Sequence, residues 1–256
     1  MASAAVIIRF HYDVDPSSKY YASREQFEWR FGYFTSMCLP CIRRQKGGGD
    51  VDVWVWCEEQ HRERFEQLGC KTFSIKPSWK GWLKPGHEGK DGKLSIAGRD
   101  SKLHIDFVPW EAVEGLPQYE LQIAIDSDEL LLRTDTFHLI KEHFTCLDKT
   151  AHISFQHVMF DVVGCQLYSS HFRYTTEKGS PFYALWQPKV PPEKFVFVYD
   201  NSHQIIWKQM HHTFLVSSDL QESHVAASVH PWNSSTRLST NSQPFSPWKK
   251  SPEAIK

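Results

Sequence analysis

The pattern of the chain predicts an α/β fold with a mixed, mainly parallel sheet flanked by helices. Three observations carry that reading. Short β-branched apolar runs alternate with helix-period segments over residues 5–75. Their order, strand–helix–strand–helix–strand, is the first half of a doubly wound sheet. A further apolar strand, residues 119–125, then runs directly into Asp126-Ser127-Asp128-Glu129.

The elements follow in order. Residues 5–10 form a buried, β-branched strand. A polar loop with Asp15-Pro16-Ser17-Ser18 leads to Ser23 and Gln26, spaced as a capping box. Phe27, Phe31, Phe34, Cys38 and Ile42 then recur on one helical face, with Pro40 kinking or breaking the last turns and Gly47 to Gly49 ending the element. Val51, Val53 and Val55 alternate with Asp52, Trp54 and Trp56 in a second strand. Residues 58–68 read as a helix closed by Gly69, and residues 71–75 as a third strand. Residues 77–98, rich in Gly, Lys and Pro, read as a long loop of the kind that serves as a lid or binding segment. Leu103, Ile105 and Phe107 alternate as a short strand, and residues 109–113 open a brief helix ended near Gly115. Beyond the acids, Asp135 is placed to cap a helix carrying Phe137, Ile140, Phe144 and Leu147. Residues 152–160 and 162–174 read as two antiparallel strands, and residues 195–199 as a last strand. The expected domain is residues 1–216. The Ser-rich, aliphatic-poor residues 217–256 are expected to form an extended or partly disordered tail.

With 256 residues the chain can bury one sizeable core. A net charge of −1 argues against a general nucleic-acid-binding surface, which needs a basic excess. The apolar start of the chain is too short for a signal peptide, and no membrane span is expected. The six cysteines are therefore expected to be reduced thiols in a cytoplasmic setting. Cys38 and Cys41 form a CxxC. A redox pair belongs at the start of a helix, whereas this one falls near the end of a helical pattern. A zinc site would need Cys57 and Cys70, which are not closely spaced. The expectation is structural thiols.

Asp126, Asp128 and Glu129 close a strand where an open α/β sheet binds its ligands. Carboxylates so close repel one another unless a cation neutralises them. Hard ions such as Mg²⁺ or Mn²⁺ take oxygen ligands, bridge diphosphates and stabilise a departing phosphate. An Asp-x-Asp in this position suggests nucleotide-diphosphate-sugar chemistry; on its own it is also the composition of a solvated turn. Arg9, at the carboxyl end of the first strand, is placed to pair with phosphate or stack on a base. Arg30 and Arg99 are further candidates for the diphosphate.

A set of sequence blocks adds to this. Ile7-Ile8-Arg9-Phe10 comes first, then Arg30-Phe31, Phe34, Cys38-Leu39-Pro40-Cys41 and Gln45. Gly115-Leu116-Pro117 leads through Gln122 to Asp126-Ser127-Asp128. Ser180-Pro181-Phe182 and Trp207-Lys208-Gln209-Met210-His211-His212 follow. In this order, over residues 6–212, the blocks resemble the rhamnosyltransferase-like family of GT-A glycosyltransferases found in bacteria and phages. The resemblance implies a GT-A-like (Rossmann-like) fold and transfer of a hexosyl or deoxyhexosyl group from a nucleotide-sugar to a hydroxyl acceptor, most simply a glycan. The implied setting is the cytoplasm of a bacterial cell or phage-infected host. It implies a divalent metal, Mn²⁺ or Mg²⁺, with Asp126 near the ribose or metal and Asp128 as principal ligand. A late histidine would complete the metal site, His212 in the closing block or His203 as its competitor. The chain departs from the family where Ala124 replaces an Arg, Glu129 an Asp and Cys41 a Ser, and where Thr213-Phe214 replaces a Gly-containing end. A catalytic base is not identified; Asp161 and Glu177 are the carboxylates considered. Two alternatives stand beside this reading. One is a non-catalytic sugar-binding module using the many Trp rings. The other is glycosylation of DNA bases, for which Lys80, Lys84, Lys90, Lys93 and Arg99 form a basic stretch.

Overall fold

The computed structural model describes residues 3–10, 24–47, 51–75, 95–96, 99–100, 108–168, 182–200, 206–216, 223–230 and 244–245. The expected cap Ser23, most of the loop over residues 77–98 and the strand around Leu103, Ile105 and Phe107 lie outside them.

The first half forms as its pattern predicts. Strand β1 is Ala4–Arg9, and a helical segment follows as α1 (Arg24–Tyr33), a π-helical turn (Phe34–Cys38) and α2 (Leu39–Arg43). Next come β2 (Val51–Trp56), α3 (Arg62–Gln67) and β3 (Lys71–Ile75). The π turn answers the problem set by Pro40. Proline has no N–H to continue an α-helical ladder and its ring crowds the preceding turn. The wider turn, closed by Leu39 N–H to Phe34 O, re-registers the chain so that Pro40 falls in the first turn of α2.

Two short strands, β4 (Ser95–Ile96) and β5 (Arg99–Asp100), pair antiparallel with each other. Strand β6 (Val113–Glu114) follows the brief helical turn Trp110–Ala112. Then come β7 (Leu121–Asp126), β8 (Glu129–Leu131) and α4 (Thr136–Phe144). Asp135 holds the position before α4, but its carboxylate turns to Arg133 in a two-bonded pair at 3.0 and 2.8 Å. That bond pushes its pKa down to about 2. The buried first-turn amide of Phe137 is met instead by Gln45 Oε1 at 3.3 Å.

The second half departs further from the sequence reading. Residues 151–161 do not make one strand. They divide into β9 (Ala151–Phe155) and β10 (His157–Asp161), which belong to different sheets. The antiparallel partner of β10 is the short β11 (Gln166–Tyr168). Strand β12 (Tyr183–Trp186) was not anticipated, because three buried residues and a half-buried Trp186 carry no alternation to read. After it come β13 (His212–Val216), β14 (Val225–Val229) and β15 (Pro244–Phe245).

The main sheet has the order β13-β9-β12-β7-β1-β2-β3-β6. Pairings make β12 and β6 antiparallel to the other six. The fold is thus mixed α/β with a mainly parallel sheet. A second sheet, β15-β11-β10-β14-β8, lies beside it. Alternate side chains of β1 divide two cores. Ala4, Val6, Ile8 and Phe10 pack with the helices and the second sheet, while Ala5 and Ile7 face Trp54, Trp56, Ala124, Phe197 and Tyr199. Full burial of each of Ile7 and Ile8 contributes about 1.5–3 kcal/mol.

Residues 195–199 are not a strand. Their backbone lies across the second face and bonds to buried glutamine side chains rather than to a neighbouring strand. Val196 N–H donates to Gln187 Oε1 at 2.8 Å and Val198 N–H to Gln122 Oε1 at 3.3 Å. Both amide groups return a bond to the Val196 carbonyl, at 3.0 and 2.7 Å. The alternation of Phe195, Phe197 and Tyr199 is real, but it records burial against a sheet and not membership of one.

The expected tail from residue 217 does not hold for residues 223–230. Val225 and Ala226 are fully buried, and β14 is an interior strand of the second sheet between β10 and β8. Small Ala and Ser residues fit a crowded interior strand, and they also made the segment look unstructured. No helix among the described residues is long and apolar enough to cross a membrane.

Candidate functional site

The carboxyl ends of the central strands meet at one rim. In the β1–β7 ladder Arg9 is directly opposite Asp126, and their side chains pair at 3.5 Å. Both are about one-third exposed. The Arg9 guanidinium also lies over the Tyr199 ring, 5.4 Å from its centre, and the Tyr199 hydroxyl donates to Ile7 O at 3.0 Å. The Tyr183 hydroxyl donates to the Val198 carbonyl. Burial, reinforced for Tyr199 by Asp126, pushes both phenols up, so each stays a neutral donor. Asp200 follows Tyr199 and lies close enough to the Tyr183 phenol to add to its upward shift.

The three acids of the next turn meet three different environments. Asp126 keeps its place on the Arg9 side. Glu129 turns inward, is 3% exposed, and accepts the Asp126 N–H at 2.9 Å. Burial first, and then the Asp126 charge, hold its pKa well above the ordinary carboxylate range. Asp128 points to the helix side, where its Oδ2 meets Arg30 at 3.1 Å and His230 Nε2 at 3.1 Å. Burial is the largest influence on Asp128 and acts upward. Arg30 and the His230 bond together outweigh it, so Asp128 is held below its ordinary value as a carboxylate.

Helix α1 supplies this second cluster, and an aromatic knot sets its position. Phe10, the residue after β1, has ring centres of Phe27 and Phe34 at 5.6 Å and of Phe65 at 4.9 Å, all edge-on. With Phe27 and Phe34 anchored in this way, Trp29, Arg30 and Tyr33 meet the acid turn, β14 and His230. Arg30 also donates to Ser127 Oγ at 3.1 Å. Trp29 stacks on Tyr33 with ring centres 5.5 Å apart and lies 4.5 Å from the His230 ring. The Tyr33 hydroxyl shares a buried 2.6 Å hydrogen bond with Ser228 of β14.

The rim therefore gathers Arg9, Arg30, Asp126 and Asp128, all picked out from the sequence. His212 is not among them. It opens β13, paired with Ala151, and Ala151 is in turn level with Trp186 and, through it, with Leu121. That is the opposite end of the sheet from Asp126, three strands away. His230 is the histidine that meets Asp128. The sequence reading missed it because it ends a strand inside the presumed tail. Tyr183, Tyr199 and Asp200 were missed as well, since the segments carrying them bear no motif. His203, Glu177, Lys80, Lys84, Lys90 and Lys93 lie outside the described residues, as does the side chain of Arg99. Asp161 ends β10 and accepts the Val163 N–H at 3.1 Å, holding the turn to β11. Cys38, Cys41, Cys57 and Cys70 are buried free thiols, and burial raises Cys38 well above its ordinary value.

Among the described residues no three His, Cys, Asp or Glu side chains group as a metal set. A two-residue set does fit a divalent ion. Asp128 Oδ2 and His230 Nε2, hydrogen-bonded at 3.1 Å, are an oxygen and an imidazole donor of the kinds such an ion accepts. Ions of this kind commonly take one or two protein ligands and leave the rest to phosphate and water.

No protein-family model matches the chain, and no curated protein is similar to it in sequence. The rhamnosyltransferase-like resemblance is thus carried by its sequence blocks alone. Among solved structures the chain is similar to S. aureus TarS 1–349 in complex with UDP-GlcNAc, at 14% identity and a TM-score of 0.48, over 93% of this chain and 62% of that one. It is also similar to TarS 1–349 in complex with UDP, at 14% identity and a TM-score of 0.43, over 90% and 61%. The chain spans about three-fifths of that fragment's length.

Proposed function

We propose that the protein is a nucleotide-sugar-dependent glycosyltransferase of the GT-A type, transferring a hexosyl or deoxyhexosyl group to a hydroxyl acceptor with Mn²⁺ or Mg²⁺ as cofactor. The observation that carries the reading is the pairing of Asp126 with Arg9 and of Asp128 with Arg30 and His230, at the carboxyl rim of a mainly parallel sheet. Asp128 and His230 would hold the ion, which would supply positive charge for the departing diphosphate. Asp126 accepts from the ribose hydroxyls. Arg9, steadied over Tyr199, and Arg30 face the phosphates or base, where a planar guanidinium suits paired oxygens. Asp200 takes the proton of the acceptor hydroxyl as general base. Its position directly after Tyr199, whose ring lies under the Arg9 guanidinium, supports that role.

The test is a donor-hydrolysis panel of nucleotide-sugars, beginning with UDP-GlcNAc, run with Mn²⁺ or Mg²⁺ on wild type, Asp128→Ala and Asp200→Asn. Wild type is expected to turn over at least one donor and Asp128→Ala to lose that activity. With an acceptor supplied, Asp200→Asn is expected to keep donor binding and lose about 10²-fold or more in transfer. Failure of wild type to bind or turn over any donor would sink the reading.

A further inference from the structure

Two groups with opposite demands converge on one oxygen of Asp128. Arg30 Nη2 and His230 Nε2 each stand 3.1 Å from Asp128 Oδ2. The histidine and the carboxylate form the donor pair for a divalent ion. The guanidinium is a cation within hydrogen-bond distance of the same oxygen. The Asp128 and Arg30 side chains are only 14% and 19% exposed, so water screens them weakly. A dication on that oxygen and a guanidinium beside it repel each other strongly in such a place. The helix cannot relieve this by moving, because the Phe10 knot, the Trp29–His230 contact and the Tyr33–Ser228 bond hold α1 on both sides. The arginine head can move, since its flexible stem lets it swing from an anchored backbone. The same Arg30 Nη2 that meets Asp128 also donates to Ser127 Oγ at 3.1 Å, so the guanidinium already has a second partner in the acid turn.

We infer that Arg30 is an exchangeable counter-ion. It neutralises Asp128 while no divalent ion is bound, then yields that carboxylate to the ion and turns to the donor diphosphate. The inference rests on the glycosyltransferase reading and adds how its two ligands are coupled. Metal frees the guanidinium for the nucleotide, and by linkage the nucleotide favours the metal. The signs for removing the guanidinium are opposite for the two ligands. Metal alone binds more tightly, because its competitor at Asp128 is gone. Nucleotide at saturating metal binds more weakly, because the diphosphate has lost a partner. A merely structural arginine would weaken both.

Mn²⁺ alone is titrated by electron paramagnetic resonance into wild type, Arg30→Gln, Arg30→Lys and His230→Ala, without nucleotide. UDP is then titrated calorimetrically at saturating Mn²⁺. Arg30→Gln is expected to bind Mn²⁺ roughly fivefold tighter or more and UDP roughly fivefold weaker or more, the lower end of ordinary site-to-site coupling. Arg30→Lys keeps the charge and should stay close to wild type for Mn²⁺; His230→Ala should bind Mn²⁺ more weakly. If Arg30→Gln melts early, Arg30→Met repeats the test with an apolar stem. Unchanged or weaker Mn²⁺ binding in a folded, charge-free variant overturns the exchange and leaves the glycosyltransferase reading standing. A wild type that binds no Mn²⁺ overturns the exchange together with the metal assignment.

Discussion

At the residue scale, the turn after β7 shows one side-chain chemistry put to three uses. Asp126 stays part-exposed against Arg9, Asp128 is buried as a paired carboxylate, and Glu129 is buried beside a negative neighbour and driven toward its neutral form. The last point is testable. Glu129→Gln keeps an acceptor for the Asp126 N–H and is expected to leave the melting temperature near wild type. Glu129→Ala orphans that buried amide and is expected to cost about 1–3 kcal/mol in a denaturant titration. Two histidines set a pH dependence. Burial, and then Arg133, lower the His224 pKa, and burial, then Arg64, lower that of His61. Their folded pKa values lie below the unfolded value, so protonation favours the unfolded chain. Stability is therefore expected to fall as pH drops below about 6.5 and to keep falling until the folded values are passed. A His61→Gln/His224→Gln double variant should flatten the melting-temperature profile between about pH 5 and 6.5; an unchanged slope would refute this account.

At the element scale, the segment of residues 195–199 depends on side chains for its backbone bonds. Gln122→Leu removes the partner of Val198 N–H and one of two donors to the Val196 carbonyl. It is expected to destabilise the protein by about 1–3 kcal/mol, read from the denaturation midpoint. It should also weaken donor binding more than a remote core change of equal cost, because this segment carries Tyr199 under Arg9. How much could be read from sequence differs between the halves for a physical reason. In β1, β2 and β3 the parallel pairing follows from short crossovers, so periodicity along the chain reports the fold. In residues 151–161 burial runs almost unbroken through both strands, yet the chain changes sheets at Gln156, whose N–H bonds Val216 O at 3.0 Å. Local pattern records burial in both sheets and is blind to which sheet does the burying. The same blindness made residues 195–199 look like a strand.

At the scale of the whole molecule, the site is an assembly of distant parts. Arg9 comes from the first strand, Arg30 from the first helix, the acids from mid-chain and His230 from the residue that follows β14. Because β14 joins β10 to β8 inside the second sheet, truncation before Ser223 is expected to abolish the cooperative thermal transition seen by circular dichroism. A truncated chain that melts like the full one would show β14 to be dispensable.

The sequence by itself determined the β-α-β-α-β start, the strand feeding the acids and the presence of Arg9, Arg30, Asp126 and Asp128 as candidates. All of these are local signals, set by side-chain periodicity and by neighbours in the chain. Only the tertiary structure decided that Asp126 and Asp128 face different sides of the rim, that Glu129 is buried, and that His230 rather than His212 meets the acids. Those outcomes depend on which strand ends share a level and which faces pack together, and such contacts link residues about a hundred positions apart, as Asp128 and His230 are.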